Sequence, residues 1–313
     1  MELIRGIHNI RQSHQGCVLT IGNFDGVHSG HQQVLGGLHA QASQLNLPAT
    51  VMIFEPQPQE LFQKGQAPAR LCNLREKYTA LKEQGVDRLI VVQFNAAFSQ
   101  MKAQEFVQEL LVKKLGVRFL IVGDDFRFGQ GREGNFDMLQ HSAEQFGFGV
   151  RSTQSYRCHD SRVSSTEIRR LLQLGDLSFV EDMLGRPYTL LGRVSHGDKK
   201  GREFGFPTAN VRLKRLVSPV TGVYAVTIRL ARENREVTGV ANIGRRPTMA
   251  GNELRLEVHL FDFDADLYGQ IIEVTLKHKI RDETKFESIA ALKSQIANDV
   301  VVAKTWFTTQ INA

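Results

Sequence analysis

A short apolar segment that leads through a glycine-rich turn into a helical pattern is the feature that most restricts the fold of this chain. Cys17–Ile21 has the composition of a buried strand, and residues 22–31 read GNFDGVHSGH. Apolar side chains then recur at helical spacing, at Val34, Leu35, Leu38, Ala42 and Leu45. Strand, glycine-rich turn and helix in this order form the phosphate sites of α/β proteins, because backbone N–H groups at the helix start face the ligand.

The turn departs from the two common glycine patterns of nucleotide sites. It fits neither GxGxxG nor GxxxxGK[ST]. Instead, His28 and His31 stand about one helical turn apart, with Gly30 between them. Two imidazoles beside a helix N-terminus can donate hydrogen bonds to phosphate oxygens without a metal. The structural alternative is that both histidines are capping or surface residues. Asp25-Gly26 also has a structural alternative, because it is a common turn dipeptide.

The composition is that of a globular protein with about two domains. The chain has 313 residues, of which 42% are hydrophobic and 23% are charged. We expect no signal peptide, and no segment approaches the roughly 20 apolar residues of a membrane span. The net charge of +6 suits anionic ligands, but the basic residues are scattered, which argues against a nucleic-acid partner. Three distant cysteines without a CxxC pair predict a cytoplasmic protein with neither disulfides nor structural zinc: Cys17, Cys72 and Cys158.

Strand-like and helix-like segments alternate from residue 17 to about residue 170. The predicted strands are Cys17–Ile21, Ala49–Phe54, Arg88–Phe94 and Phe119–Gly123, and the predicted helices are Leu74–Gln84, Phe98–Leu115 and Asn135–Phe146. Such alternation predicts a Rossmann-like parallel sheet covered on both faces. Ligands bind beyond the carboxyl ends of such strands, so we expect the loops after Ile21, Phe54 and Val122 to line one crevice.

The pattern changes near residue 186. Two short helices, Thr166–Leu174 and Leu177–Leu184, precede this point. Beyond it, strand-like segments follow one another without helices, at Thr189–Ser195, Gly222–Leu230, Val237–Ile243, Leu254–Phe263 and Ile271–Lys279. This predicts a small antiparallel barrel or sandwich. An amphipathic helix that starts near Ile289 ends the chain. We predict one domain over 1–185 and a second over 186–313.

Two more stretches of the first half carry polar and aromatic groups suited to a nucleotide. Residues 164–169 read SSTEIR, which is a capping box and also a set of hydroxyls and a guanidinium suited to a triphosphate. Residues 122–129 read VGDDFRFG after a predicted strand. Phe126 and Phe128, or Phe62 after FEPQP, either fill the core or offer a platform to a flat heterocycle.

The order of these motifs identifies a family. GNFDGVHxGH, FEPxPxxLF, VGDDFRFG and SSTxIR resemble the FMN adenylyltransferase module of the bacterial bifunctional riboflavin kinase/FAD synthetase family. The resemblance implies that this module binds ATP through Gly22, Phe24, Asp25, His28, His31, Ser164, Ser165, Thr166 and Arg169. It also implies that the module binds the flavin through Phe62, Asp125 and Phe128. Many relatives carry Asn at the position of Asp125, where a carboxylate would repel an FMN phosphate but could accept hydrogen bonds from ribityl hydroxyls.

The second half contains a glycine-rich basic loop that leads into GFPTAN at residues 205–210. Such a loop is either a flexible hairpin or a cover for phosphates. Thr208 and Asn210 offer a hydroxyl and an amide oxygen, which are ligands that Mg²⁺ accepts beside phosphates. GFPTAN resembles the riboflavin kinase motif. The ATP contacts expected from this resemblance are Gly197, Gly201, Arg202, Gly205, Pro207, Thr208 and Asn210.

Two further residues of the second half are candidates for the kinase chemistry. Strand alternation in LRLEVHL at residues 254–260 puts Glu257 on the face opposite the leucines. That face is either solvated or directed at a ligand, and in the second case Glu257 could accept the proton of an attacking hydroxyl. Resemblance to the kinase family favours this catalytic role. It also implies that Arg281 helps to hold the flavin, the alternative being a surface pair with an acidic neighbour.

These features predict a two-reaction enzyme of flavin cofactor synthesis. The resemblance implies phosphorylation of riboflavin by ATP in the second half and adenylylation of FMN to FAD in the first, with Mg²⁺ as the metal. One alternative is another HxGH nucleotidyltransferase or an aminoacyl-tRNA synthetase, but no KMSKS-like loop is present. The other is a nucleic-acid-binding barrel fused to a nucleotide sensor, which steep salt dependence of binding would support.

Overall fold

The computed structural model describes residues 1–63, 65–195, 205–213, 215, 217–230, 235–248 and 251–311, with the backbone alone at 245–248, 251–253 and 311. The chain divides into two compact units. The first unit comprises Met1–Pro68 and Leu74–Ser164, and the second comprises Ala69–Asn73 and Ser165–Ala313. No helix in the described ranges is long and apolar enough to cross a membrane.

The first unit is built on a six-stranded sheet in the order β1-β4-β3-β2-β5-β6. Its strands are β1 (Glu2–Arg5), β2 (Cys17–Ile21), β3 (Ala49–Glu55), β4 (Arg88–Gln93), β5 (Val117–Gly123) and β6 (Gly149–Thr153). All five strand pairings are parallel, which confirms the predicted sheet. A two-stranded hairpin, β7 (Arg157–Cys158) with β8 (Ser161–Arg162), follows the sheet.

Helices cover both faces of this sheet. They are α1 (Ser29–Leu45), α2 (Pro58–Phe62), α3 (Leu74–Glu83), α4 (Ala96–Ser99), α5 (Ala103–Glu105, continued by a π-helix over Phe106–Lys114) and α6 (Phe136–Phe146). Successive residues of β2 point into different cores: Leu19 packs in one hydrophobic cluster with Leu110, and Val18 packs in the other with Leu35. The sheet is therefore buried on both faces, as the largely apolar strand segments predicted.

One predicted helix is interrupted. The prediction of a single helix over Phe98–Leu115 was wrong, because the chain forms α4 and then starts again at Ala103. The Asn95 side chain caps α4 by accepting a hydrogen bond from the Phe98 N–H at 2.8 Å. Glu133, distant in sequence, accepts a hydrogen bond from the Ala103 N–H at 2.8 Å and so caps the second start. The break therefore depends on a tertiary contact.

The second unit is a closed antiparallel barrel in the order β10-β13-β12-β11-β14-β9, which decides between the predicted barrel and sandwich. Its strands are β9 (Thr189–Ser195), β10 (Ala209–Arg212), β11 (Gly222–Leu230), β12 (Arg235–Thr248), β13 (Gly251–Leu260) and β14 (Ile271–Arg281). Its helices are α7 (Ser165–Leu174), α8 (Leu177–Leu184) and α9 (Ile289–Ile311). Ala303 of α9 packs in a cluster with Val223, Ala225, Val240 and Phe261 of the barrel unit.

A short segment from early in the chain belongs to this second unit. The Tyr188 hydroxyl donates to the Leu71 carbonyl at 2.9 Å, and Arg215 donates to the Arg70 carbonyl at 3.3 Å and to the Tyr188 hydroxyl at 2.8 Å. Tyr188 and Arg215 are both buried. Residues 69–73 are therefore tied to the barrel unit by hydrogen bonds as well as by packing.

Candidate active sites

The glycine-rich turn after β2 leads directly into α1, as predicted. His28 is the N-cap of α1, and its Nδ1 accepts a hydrogen bond from the His31 backbone N–H at 3.3 Å. The imidazole rings of His28 and His31 are stacked, with centroids 3.6 Å apart and planes at 16°. Because Nδ1 of His28 is an acceptor, a neutral His28 ring carries its proton on Nε2. The capping role and a donor role therefore use different nitrogens.

The turn itself is strained. Phe24 and Val27 have φ of 47° and 45°, in the left-handed region that β-branched residues in particular avoid. Both side chains are buried in the core, which holds the backbone in this conformation. The Gln32 side chain also donates to the Val27 carbonyl at 3.0 Å. Strain of this kind, fixed by surrounding packing, concentrates at ligand sites.

His31 has the electrostatics of a neutral hydrogen-bond donor. Burial is the main cause that holds the pKa of His31 well below its usual value, with His28 and Lys77 adding to the effect. Its Nδ1 atom is buried and has no hydrogen-bond partner among the described residues. An unsatisfied buried polar atom is costly and rare in native proteins, so it indicates a position that a bound group satisfies.

Lys77 is a site residue that the sequence reasoning missed. It lies on α3 and is fully buried, and its ammonium group donates to the Asn23 carbonyl in the turn at 2.6 Å. A sequence signal was present: Lys77 stands three residues after Leu74 and four before Leu81, on the apolar face of the helix. A lysine at a core position of an amphipathic helix is unusual, because buried charges require compensation.

Aromatic rings line up near the carboxyl ends of β3 and β4. Phe62 is 66% exposed, and its ring lies edge-on to Phe94 at 5.9 Å. Phe94 in turn contacts Phe54 and Phe98. Phe94 was not among the predicted flavin contacts. Phe62 thus has the exposure that a stacking platform needs, and its role stays a prediction.

The other two flavin candidates, Phe128 and Asp125, lie in surroundings that differ from those of Phe62. Phe128 is buried, and its ring centroid lies 5.4 Å from that of Phe106. This placement fits the alternative that Phe128 fills the core. Asp125 is exposed, and one of its oxygens lies 3.6 Å from the Arg162 guanidinium. That cation offsets the negative charge of Asp125, and this weakens the expected repulsion of an FMN phosphate. Their assignment to the flavin stays a prediction.

The SSTEIR motif is divided between the two units. Ser164 ends the first unit, whereas Ser165, Thr166 and Arg169 belong to the second, within the first turns of α7. Arg169 Nε donates a hydrogen bond to the Ala69 carbonyl of the same unit. Their assignment to ATP is a prediction from the resemblance.

The strand register of the barrel brings together three polar residues. Asn210 on β10 is directly opposite Glu257 on β13, and Glu257 is directly opposite Asn242 on β12. Directly opposite residues of antiparallel strands project on the same face, with Cβ atoms about 5 Å apart. All three are half-buried, whereas Leu256 and Val258 on either side of Glu257 are fully buried. The predicted alternation of this strand is thus confirmed, and Asn242 is a member of the row that sequence reasoning missed.

The loop before β10 is held against β13. A hydrogen bond of 2.9 Å joins the His259 ring to the Pro207 carbonyl, and the Phe206 and His259 rings are perpendicular at 5.5 Å. Thr208 is half-buried and directly precedes β10, and Gly205 has a φ of 86° that favours glycine. The candidate phosphate-loop residues Gly197, Gly201 and Arg202 lie outside the described residues.

Arg281 makes a partly buried ion pair. Its guanidinium donates to both carboxylate oxygens of Asp299 on α9, with Nη2 at 2.7 Å and Nε at 2.9 Å. Asp299 is 3% exposed, and it also accepts a hydrogen bond from Gln295 at 2.8 Å. The alternative of a solvated surface pair was therefore wrong. The role of Arg281 toward a flavin stays a prediction.

The comparisons with known families define the class: a transferase with two nucleotide-dependent halves. The FAD synthetase family model matches residues 10–167, and the riboflavin kinase family model matches residues 184–307. The chain belongs to the bifunctional riboflavin kinase/FMN adenylyltransferase family. The Escherichia coli (strain K12) protein of that name is 54% identical over 308 residues, covering 98% of each chain. The Haemophilus influenzae protein is 52% identical, covering 98% of this chain and 99% of its own.

The whole fold is also found in a solved structure. A protein from Streptococcus pneumoniae, named as a macrolide-efflux protein, superposes with a TM-score of 0.82 at 30% identity. The match covers 98% of this chain and 100% of that one. The efflux role in that name belongs to that protein, whereas both sequence relatives above carry the two transferase names.

Proposed function

We propose that this chain converts riboflavin to FMN and then FMN to FAD, using ATP in both reactions. The second half transfers the γ-phosphate of ATP to the 5′-hydroxyl of riboflavin, and ADP leaves. The first half transfers AMP from ATP to the phosphate of FMN, and pyrophosphate leaves. The family matches over residues 10–167 and 184–307 carry the proposal, and the register of Asn210 opposite Glu257 supports its kinase half.

In the kinase reaction, Glu257 is proposed to accept the proton of the riboflavin hydroxyl as its oxygen attacks the γ-phosphorus. A positioned carboxylate is suited to this role, and Glu257 is half-buried beside two amides. Asn210 and Thr208 are proposed to hold the phosphate side of ATP in line with the hydroxyl. Most of the catalysis then comes from positioning and charge stabilisation, as in other phosphoryl transfers.

The residues at this position suit Mg²⁺. Among the described residues, no three His, Cys, Asp or Glu side chains are grouped so that they could form a metal cage. Asn210 and Thr208 instead supply one amide oxygen and one hydroxyl, and Mg²⁺ commonly takes only a few protein oxygens beside substrate phosphates. When bound, the ion would neutralise charge that develops on the β- and γ-phosphates.

In the adenylyl transfer, His28 and His31 are proposed to donate hydrogen bonds to the phosphates of ATP. A phosphate oxygen of FMN attacks the α-phosphorus, and this nucleophile is already ionised near neutral pH, so no general base is needed. The Nε2–H of His28 and the neutral ring of His31 are preorganised donors at a helix N-terminus. Donors of this kind stabilise charge without reorganisation.

The proposed functional boundary remains residues 1–185 for adenylyl transfer and 186–313 for the kinase. It is supported by family matches that end at residue 167 and begin at residue 184. We also propose a cytoplasmic location. All three cysteines are outside any disulfide bond, which is consistent with a reducing compartment.

The direct test is chromatography of riboflavin incubated with ATP, Mg²⁺ and the protein. We expect FMN to form first and FAD to follow. A trace with FMN alone would limit the function to the kinase. No ATP-dependent conversion of riboflavin or of added FMN would overturn the proposal.

A further inference from the structure

Lys77 presents an energetic problem, because no ion pair is described for its buried ammonium group. The side chain is fully buried, and the hydrogen bond described for its ammonium group goes to a neutral carbonyl, that of Asn23. Burying a charge without a counter-charge is strongly unfavourable. A carbonyl dipole satisfies one of the three N–H donors of a lysine but does not cancel its charge. A residue of this kind indicates that an anion arrives nearby in the working state.

The position of Lys77 connects it to the phosphate turn. Asn23 lies in the strained segment between β2 and α1, next to Phe24 with its φ of 47°. The C=O and N–H of one trans peptide unit point in opposite directions. An Asn23 carbonyl anchored on Lys77 therefore directs the Phe24 N–H away from the lysine. Lys77 thus fixes the orientation of a peptide in the turn that leads to His28.

The charge of Lys77 also acts on His31. Lys77 is one of the groups that lower the pKa of His31, after burial and His28. A neutral imidazole keeps a single N–H and remains a directional donor. A second cation at this place would be repelled, whereas an anionic phosphate would be attracted.

We propose that Lys77 is a positioning residue for adenylyl transfer, which holds the Asn23–Phe24 peptide and supplies the buried positive charge that attracts the ATP phosphates to the histidine turn. This inference rests on the adenylyl-transfer function proposed above. It assigns Lys77 no contact with the reacting atoms.

The test is the variant Lys77→Met, which keeps the length of the side chain and removes its charge. The matched control is Lys82→Met, because Lys82 is an exposed lysine on the same helix. With added FMN, we expect Lys77→Met to raise the KM for ATP by about tenfold or more, because the phosphates lose an attracting charge and the Asn23–Phe24 peptide loses its anchor. Lys82→Met should leave the KM within about twofold.

Two readouts separate this role from a purely structural one. In Lys77→Met, the NMR titration of the His31 ring should shift to higher pH, because a neighbouring cation is gone. Riboflavin phosphorylation by the same molecules should be unchanged, which shows that the sample is active. Unchanged KM for ATP together with an unchanged His31 titration would overturn the inference.

If Lys77→Met does not fold in its first unit, Lys77→Arg decides the matter, because it retains the charge. An ATP KM close to that of the wild type supports the inference. A KM raised about tenfold while the His31 ring titrates at its wild-type position contradicts it, because the positive charge is then still in place. Absence of FAD synthesis by the wild type would instead overturn the proposed function. The two failures are therefore distinguishable.

Discussion

Asn210 and Glu257 lie directly opposite each other on antiparallel strands β10 and β13 of the barrel. They are 47 positions apart in the printed sequence, yet the register places an amide and a carboxylate on one face with their Cβ atoms about 5 Å apart. This pair combines a candidate ion ligand with a candidate proton acceptor. Both belong to the second unit, so they can be tested without altering the first.

Glu257→Gln should abolish most riboflavin phosphorylation and spare FAD synthesis from added FMN. The substitution keeps the shape of the side chain and removes the proton acceptor, which commonly costs about 10²–10⁴-fold in rate. Separate assays of the two reactions measure this. Asn210→Ala should likewise lose riboflavin phosphorylation and keep FAD synthesis from added FMN. A Glu257→Gln protein with a wild-type rate of FMN formation would show that Glu257 is not the base.

His28→Ala should give the reverse result, with FMN accumulating and little FAD formed. The variant loses both the Nε2–H donor and the Nδ1 cap of α1. His28→Asn is the matched control, because Asn restores a cap but not the same donor. An equal loss of FAD synthesis in both variants assigns the effect to the Nε2–H donor. Recovery of FAD synthesis in His28→Asn assigns it to the helix cap.

The stability of the first unit should decrease in mild acid. Because burial, His28 and Lys77 lower the pKa of His31, the unfolded chain binds a proton at about pH 6.5 that the folded chain does not. The stabilisation is fully present above about pH 6.5 and is lost as the pH falls from there toward the folded pKa, by at most about 1.4 kcal/mol per pH unit. Hydrogen exchange of β2 amides at several pH values measures it, and His31→Leu should flatten the dependence. An equally steep dependence in His31→Leu would assign it to other groups.

Arg281→Ala should destabilise the barrel unit by about 3–5 kcal/mol, because it leaves the buried Asp299 carboxylate without its cation. The single tryptophan, Trp306, lies on α9 beside His278 and reports on this unit in urea unfolding. Asp282→Ala is the control: the Asp282 carboxylate pairs with Lys279 at 2.7 Å but is 82% exposed, and its removal should cost about 1 kcal/mol or less. Similar losses of unfolding free energy in Arg281→Ala and Asp282→Ala would show that burial does not determine the strength of these ion pairs.

In the parallel sheet, the sequence predicted the central strands and missed the edge strands. Cys17–Ile21 has the same bounds in the structure, because all five residues are buried and all but Thr20 are apolar. β1 and β6 were not predicted. They are the outermost strands of the sheet, and in β1 only Ile4 is buried. Edge strands lack the apolar run that identifies a central strand.

The candidate sites were predicted by residue type but not by contact. GFPTAN and the alternation around Glu257 indicated which side chains matter, whereas their neighbour Asn242 depended on strand pairing that sequence periodicity does not encode. Lys77 was missed for a different reason. A lysine in a helix is normally exposed, and its burial is visible only once α3 is packed against the turn.

The segment of residues 69–73 has a consequence for how the protein is made. Leu71 leaves the ribosome 117 residues before Tyr188, the residue whose hydroxyl donates a hydrogen bond to the Leu71 carbonyl. This separation corresponds to roughly 6–23 s at usual rates of translation. During that interval a piece of the second unit is present without its partners. A gene fragment that begins at Ser165 would never encode this piece, so the Tyr188 hydroxyl and the Arg215 guanidinium would lose carbonyl acceptors. The second unit is therefore not a contiguous stretch of the gene, and no single truncation point yields it whole.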